Sequence, residues 1–319
     1  MSNDAHFKVL DELDFPKIVV LRITEFIEYL CRTNSASSLK TMQMETKSNH
    51  TKDFACQLQF APGFPDSQRA GATALAKEYH DVLVSDGLGR QLLVEDGLCV
   101  SADNCKGGIL VTGINPSGKK KQNFCYSFRA AMQKEQKEQK ETKGYWHDKY
   151  EEFVKGHDEL LPLFSYLDLF PLHEGNQAAF MQSVNVSLSL QARIIAVTQR
   201  EIERLRPRLI IHANAQTAYY WGLSPHSTWM GYNLLPVASA ELPDRLGDMC
   251  GRIYRIAGPT GFKTDHERVN AEVYVKSSLI GSIFVRHGLY NRPRHAPFRL
   301  TSDKVWALFE LASRLDTEK

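Results

Sequence analysis

The sequence predicts a three-layer α/β/α fold with a mainly parallel central sheet, preceded by an N-terminal, mainly helical extension. Three observations predict it. The apolar runs at Ile109 to Thr112, Phe164 to Phe170, Arg208 to His212 and Leu279 to Val285 show little polar alternation, as strands buried on both faces do. Segments of helical spacing separate the runs, and the order strand, helix, strand implies crossover connections and a sheet covered on both sides. Turn chemistry closes the first two runs, at Gly113-Ile-Asn-Pro116 and at Pro171.

Taken in order, Ile18, Val19, Leu21, Ile23, Phe26, Ile27 and Leu30 predict a helix over 17–32, and the Ser, Thr, Asn and Lys-rich stretch 33–66 predicts an irregular connection. Asp66 or Ser67 is expected to cap a helix to about Ser85, stopped by Gly87 and Gly89. Asp96-Gly97 between two short apolar runs reads as a hairpin turn. Residues 1–90 form the expected extension and 91–319 the α/β domain. Within the latter, QKEQKEQKETK at 133–143 is polar on every side and predicts a solvated helix or excursion. Helices are expected over 146–161, over 176–206 with a weak point at 183–189, over 213–221 and over 302–315. A further strand is expected at 252–256.

A chain of 319 residues with 43% hydrophobic and 24% charged residues suits a soluble globular protein. No apolar run is long enough to span a bilayer, and the polar, acidic start lacks the features of a signal peptide. A cytoplasmic location and no membrane partner are therefore expected. Six cysteines without a CxxC pair or matching histidine spacing predict no metal site, and no cofactor is expected. The net charge of +2 leaves polyanion binding to local patches. Two exist. Lys119, Lys120 and Lys121 follow the first turn, and the segment 286–299 holds Arg286, Arg292, Arg294, Arg299, His287 and His295 with no acidic residue, interleaved with Tyr290 and Phe298.

The stretch Gly108-Ile-Leu-Val-Thr-Gly-Ile-Asn-Pro-Ser-Gly118 carries the chemistry, because ligands of open α/β sheets sit at strand carboxyl ends. Its letters from Gly113 to Lys119 fit a phosphate-binding P-loop, with Asp168 as a possible magnesium ligand. Lys120 stands where that loop needs a hydroxyl, and Pro116 lacks an N–H donor. A magnesium-dependent nucleotide binder stays as an alternative.

Strand-Gly-Ile-Asn-Pro-Ser resembles the first motif of the uracil-DNA glycosylase superfamily. The YLDLFP segment resembles the family's second strand, LIIHANAQTA its third strand and helix start, and FVRH with the loop after it its final motif. The resemblance covers about residues 105 to 315. It implies a DNA glycosylase-like enzyme, active in DNA repair without metal, that hydrolyses the N-glycosidic bond of a flipped base in single- or double-stranded DNA. It further implies that Asn115 orients the water and His287 donates a hydrogen bond to the leaving base. Gly113, Ile114, Pro116, Ser117, His212 and Asn214 would line the base site, and Phe124 and Phe128 would offer a stacking ring. Lys119 to Lys121, Arg292, Arg294 and Arg299 would hold phosphates, while Leu289 and Tyr290 would fill the space the base leaves.

Asp168 departs from the family pattern. Uracil-specific members carry an Asn there, which donates and accepts, whereas an ionised carboxylate only accepts. A base presenting donors, such as an amino-substituted or damaged base, suits Asp168 better than uracil does. His212 also replaces the usual glycine. Both departures leave open a nucleic-acid-binding module of the same fold without catalysis.

Overall fold

The four apolar runs become four adjacent strands of one sheet. The computed structural model describes residues 58–101, 103, 105–116, 123–138, 151–174, 177–185, 187–212, 217–223, 229–259, 277–287 and 299–317. All of them belong to a unit running from Thr51 to Lys319, and Met1–His50 forms another. The helix expected over 17–32, most of the connection after it, Ser117, Lys119 to Lys121, Asn214 and the loop residues Leu289, Tyr290, Arg292 and Arg294 lie outside the described residues.

The strands in chain order are β1 (Gln59–Phe60), β2 (Cys99–Ser101), β3 (Ile109–Thr112), β4 (Phe124–Tyr126), β5 (Phe164–Tyr166), β6 (Leu209–His212), β7 (Tyr232–Pro236), β8 (Ile253–Pro259) and β9 (Ile283–Arg286). The α-helices are α1 (Asp66–Val84), α2 (Gly87–Glu95), α3 (Phe128–Glu138), α4 (Gln177–Asn185), α5 (Leu188–Leu205), α6 (Thr217–Trp221) and α7 (Ser302–Thr317). In the larger sheet β5, β3, β6 and β9 lie side by side in that order and run parallel, and β8 and β7 extend the β9 edge antiparallel. A smaller parallel sheet has the order β1, β4, β2. The fold is mixed α/β with a parallel central portion.

Side-chain alternation along the central strands divides the core in two. Leu110, Ile210 and Phe284 join a cluster with Leu75, Tyr79 and Leu83 of α1 and Ile194, Ile195 and Ile202 of α5. Ile109, Val111, Ile211 and Val285 join a second cluster with Phe128 and Met132 of α3 and Val305, Leu308 and Leu311 of α7. Both sides of these strands are therefore dry, which is why their sequences run apolar without alternation.

Several local expectations are corrected. The segment before Asp96-Gly97 is the end of α2, not a strand, and Gly97 takes a left-handed φ of 74° just past the helix. Its turn chemistry serves a helix C-terminus, which asks for the same positive φ as a hairpin. Gly87 and Gly89 do not end a helix; they open α2, whose first amides are capped by the Asp86 carboxylate. Gly89 is required for packing, since a Cβ there would sit 2.4 Å from the Leu83 carbonyl oxygen. At the start of α1 the N-cap is Pro65, and Asp66 is the first helical residue. The expected helix over 146–161 is, where described, a pair of 3-10 turns at Glu151–Phe153 and Asp158–Leu163, separated by Gly156 at φ 77°. The weak point in 176–206 is a true break, at which Ser187 caps α5. Thr217–Trp221 is the described part of the helix expected over 213–221. β7 carries no clean alternation and is defined by its pairing with β8.

His157 fastens the second 3-10 turn to α7. Its Nδ1 lies 3.0 Å from Glu159 and its Nε2 2.9 Å from Asp303, and its ring stacks on Trp306. The hydrogen bond to Asp303 and then that to Glu159 raise the His157 pKa above its usual value. A pKa raised on folding gives stability that is complete below about pH 6.5, the unfolded value, and is lost as pH rises through the folded value. Thermal melts of wild type and His157→Gln are therefore expected to differ most in mild acid and to converge in alkali; a constant gap would refute the clasp.

Candidate functional site

The carboxyl ends of β3, β5 and β9 bring together three of the residues that the sequence reading singled out. Gly113, Asp168 and His287 all project to the face of the sheet that carries Val111, Tyr166 and Val285, as their odd and even spacing requires. At about 4.8 Å per strand, the segments bearing Asp168 and His287, three spacings apart, are separated by roughly 14 Å along the sheet edge.

The first turn is bound to the segment after β5 beyond the strands themselves. The amides of Leu169 and Phe170 donate to the carbonyls of Gly113 and Ile114, and that of Glu174 donates to Pro116. From behind, the Thr198 hydroxyl of α5 donates to the Leu169 carbonyl, and Tyr79 of α1 donates in turn to Thr198, at 2.8 Å each. The backbone on both sides of Asp168 is thus fixed by two helices and the first turn. Asp168 is 6% exposed, and its Oδ1 accepts from the Tyr166 hydroxyl at 3.0 Å. Its carboxylate lies directly over Gly113, where a Cβ would come within 2.2 Å of Oδ1 and 2.9 Å of the Tyr166 hydroxyl. Glycine is demanded there by close approach.

Asn115 is half-buried, and its Nδ2 donates to three backbone carbonyls: Glu174 at 3.0 Å, Pro116 at 3.2 Å and Leu172 at 3.3 Å. Three acceptors on one side fix which end of the amide is nitrogen. Oδ1 therefore points away from these carbonyls, able to accept from a water.

His287 is 4% exposed, and its backbone amide donates to the His212 carbonyl. Burial lowers its pKa to about 4, helped by the nearby positive charges of Arg252 and Arg299. At neutral pH the imidazole is uncharged and carries one N–H. Its ring meets Phe153 edge-on at 5.4 Å, and the aromatic wall continues through Phe164 and Phe128 to Tyr166, which stacks on Phe128 at 5.8 Å.

Phe128, 1% exposed, has Tyr166 against its face and supports the wall from within. Phe124 packs against the same cluster while pairing in the smaller sheet. Tyr126, not singled out in the sequence, lies two residues along from Phe124 on the same face, with its ring 6.1 Å from Tyr166. The alternation of Phe124, Tyr126 and Phe128 was the available signal. Asp103 was also missed: this buried carboxylate accepts from the Ser127 hydroxyl, the Phe128 amide and Arg129 Nε, and so caps α3 and holds the ring-bearing segment. Burial pushes its pKa up, while Ser127 and Arg129 oppose the shift.

Other expected residues are placed elsewhere. Ile114 is buried in the cluster on the opposite face, and His212, fully buried, stacks on Phe284 of that cluster at 5.0 Å. Neither is brought to the face of Asp168 and His287. Pro116 is buried at the end of the turn. Among the described residues the element that follows the turn is strand β4, at Phe124, and not a helix.

The chain matches no protein-family model, no curated protein and no solved structure.

Positive charge gathers beside His287. Arg286 ends β9, its amide donates to the Arg252 carbonyl, and the Arg252 guanidinium has its pKa lowered by burial and then by Arg286. Arg299 completes the group and lies 3.7 Å from Glu152. Among the described residues no cluster of three or more His, Cys, Asp or Glu side chains forms a metal site, and no helix is long and apolar enough to cross a membrane.

Proposed function

We propose that this chain is a glycosylase-like protein of three-layer α/β/α architecture that hydrolyses the N-glycosidic bond of a flipped or unpaired base in DNA. The observation that carries the reading is the placement of Gly113, Asp168 and His287 on one face at the carboxyl ends of three parallel strands of one sheet, where ligands of such sheets bind. Four motif-like segments far apart in the chain supply that edge.

In the reaction the C1′–N bond breaks with both electrons passing to the base, and the water oxygen bonds to C1′. Asn115 Oδ1 accepts a hydrogen bond from that water and aims its lone pair, and the proton that the water loses ends on the departing base anion. The neutral His287 N–H stabilises the charge developing on the base, the role of a preorganised donor. Asp168, an acceptor when ionised, would favour a base that carries an N–H or amino group at the edge facing it. Tyr126 and the wall behind it provide the apolar contact for the ring. Arg252 and Arg299, whose charges act on His287, would neutralise phosphates flanking the extruded nucleotide.

Base release from single- and double-stranded oligonucleotides carrying uracil, hypoxanthine, xanthine or a mismatch, with EDTA present, tests the reading. Release that disappears in Asn115→Ala is expected, and Asp168→Asn should shift preference toward uracil. Salt-sensitive DNA binding with no release of any base would identify a binding module instead, a reading favoured by the three carbonyls that already engage Asn115.

A further inference from the structure

The opposite, amino-terminal edge of the same strands holds a cleft of about 430 Å³, within the size range of small-molecule sites. Its cationic walls are Lys106, on the approach to β3, and Arg206 and Arg208, on the approach to β6. Its floor is buried and built of small residues, Gly281, Ser282 and Ala312. No carboxylate is among the described lining residues. The nearby Glu203 accepts from Tyr232, Ser277 and Ser278, which directs its charge to those donors.

The backbone segments that carry the three exposed cations are tied in place, and Arg208 Nη1 donates to the Ser313 hydroxyl at 3.5 Å. The Gly107 amide donates to Leu205, and the Arg208 amide donates to Gly108, so the approaches to β3 and β6 are tied together. Pro207, between the two arginines, is fixed by the Ser282 hydroxyl, which donates to its carbonyl at 2.8 Å. The Arg208 guanidinium lies across Gly107, its Nε 3.9 Å from where a Cβ would be. Arg206 has φ 48°, and among the described residues no other non-glycine residue has a positive φ. Glycine is the usual occupant of this position at a helix end, so an arginine there carries a strain that glycine would avoid. Like charges converging on a recess with low-dielectric walls focus a positive field into it. Ile280, 40% exposed at the rim, adds an apolar surface beside them.

We propose that this cleft binds a small phosphorylated molecule carrying at least two negative charges, with its apolar portion against Ile280 and Ala312. The site is separate from the base site: β3, β6 and β9 each run from one to the other, a length of about 13 Å for four residues.

Calorimetry and thermal melts of the full chain with inorganic pyrophosphate test this, with sulfate at matched ionic strength as control. Saturable binding and a raised Tm are expected for wild type. Arg206→Gly should fold at least as stably, because it relieves the left-handed φ, yet bind pyrophosphate about tenfold or more weakly. Lys106→Gln should weaken binding in the same direction. Absence of saturable binding at millimolar pyrophosphate, an equal response to sulfate, or unchanged affinity in Arg206→Gly would each overturn the proposal. So would a loss in Arg206→Gly confined to DNA oligonucleotides, which would make the cleft a nucleic-acid contact. Asn115→Ala should keep pyrophosphate binding, which separates this test from that of the base site.

Discussion

Aspartate in place of Asn115 is expected to destabilise the protein more than alanine does, and the alanine variant is expected to lose base release. The reason lies in what Nδ2 touches. It donates to the carbonyls of Pro116, Leu172 and Glu174, and so closes the first turn onto the segment after Phe170. Alanine removes these bonds, and the cost is that of carbonyls on buried and half-buried residues losing a donor, about 1–3 kcal/mol. Aspartate removes the same donor and sets a carboxylate against the three carbonyl oxygens. Repulsion and desolvation then add to the lost bonds, for a total on the order of 3 kcal/mol or more. A carboxylate would be the stronger base toward water, but here it dissolves the geometry that aims it. Denaturant melts of the two variants give the ranking directly. An aspartate variant as stable as wild type would show that the amide does not hold the turn.

Replacing His287 by alanine should slow base release by roughly a hundred- to a thousand-fold, the usual cost of one preorganised donor to a developing anion. The wild-type rate should be level from about pH 8 down through pH 6.5 as far as this group is concerned, because burial keeps the imidazole neutral until its pKa of about 4. A rate that titrates near pH 6.5 with His287 would contradict a buried, neutral donor. The same shift governs stability. The folded pKa lies below the unfolded value, so the unfolded chain binds the proton more tightly. Stability is complete above about pH 6.5 and is lost as pH falls toward 4, by up to about 3 kcal/mol at some 1.4 kcal/mol per unit. His287→Ala should melt with a shallower acid dependence. This window lies below pH 6.5 and the His157 window above it, so one pH series of melts separates the two histidines.

The central strands were legible because their residues are buried on both faces. Ile109 to Thr112 and Leu209 to His212 are apolar or β-branched almost throughout, as strands buried on both faces are. The Gly-Ile-Asn-Pro turn, Asp168 and His287 were legible as polar or turn residues placed at the ends of such runs. Composition and spacing thus determined an α/β chain with polar and turn residues at its strand ends. Local chemistry misled where one signal serves two structures: Asp96-Gly97 satisfies the positive φ of a helix end as readily as that of a hairpin.

Only the tertiary structure decided which strand-end residues share a face. His212 and His287 look alike in sequence, each near the end of an apolar run, yet His212 stacks on Phe284 on one side of the sheet while His287 meets Phe153 on the other. The difference is the one-residue phase of a period-two strand, set by pairing register and not by residue type. The same phase selects Tyr126 to face Tyr166, and it lays the Asp168 carboxylate over Gly113 from a strand more than fifty residues away. The sequence determined the composition of that edge; long-range strand pairing decided which of its side chains meet.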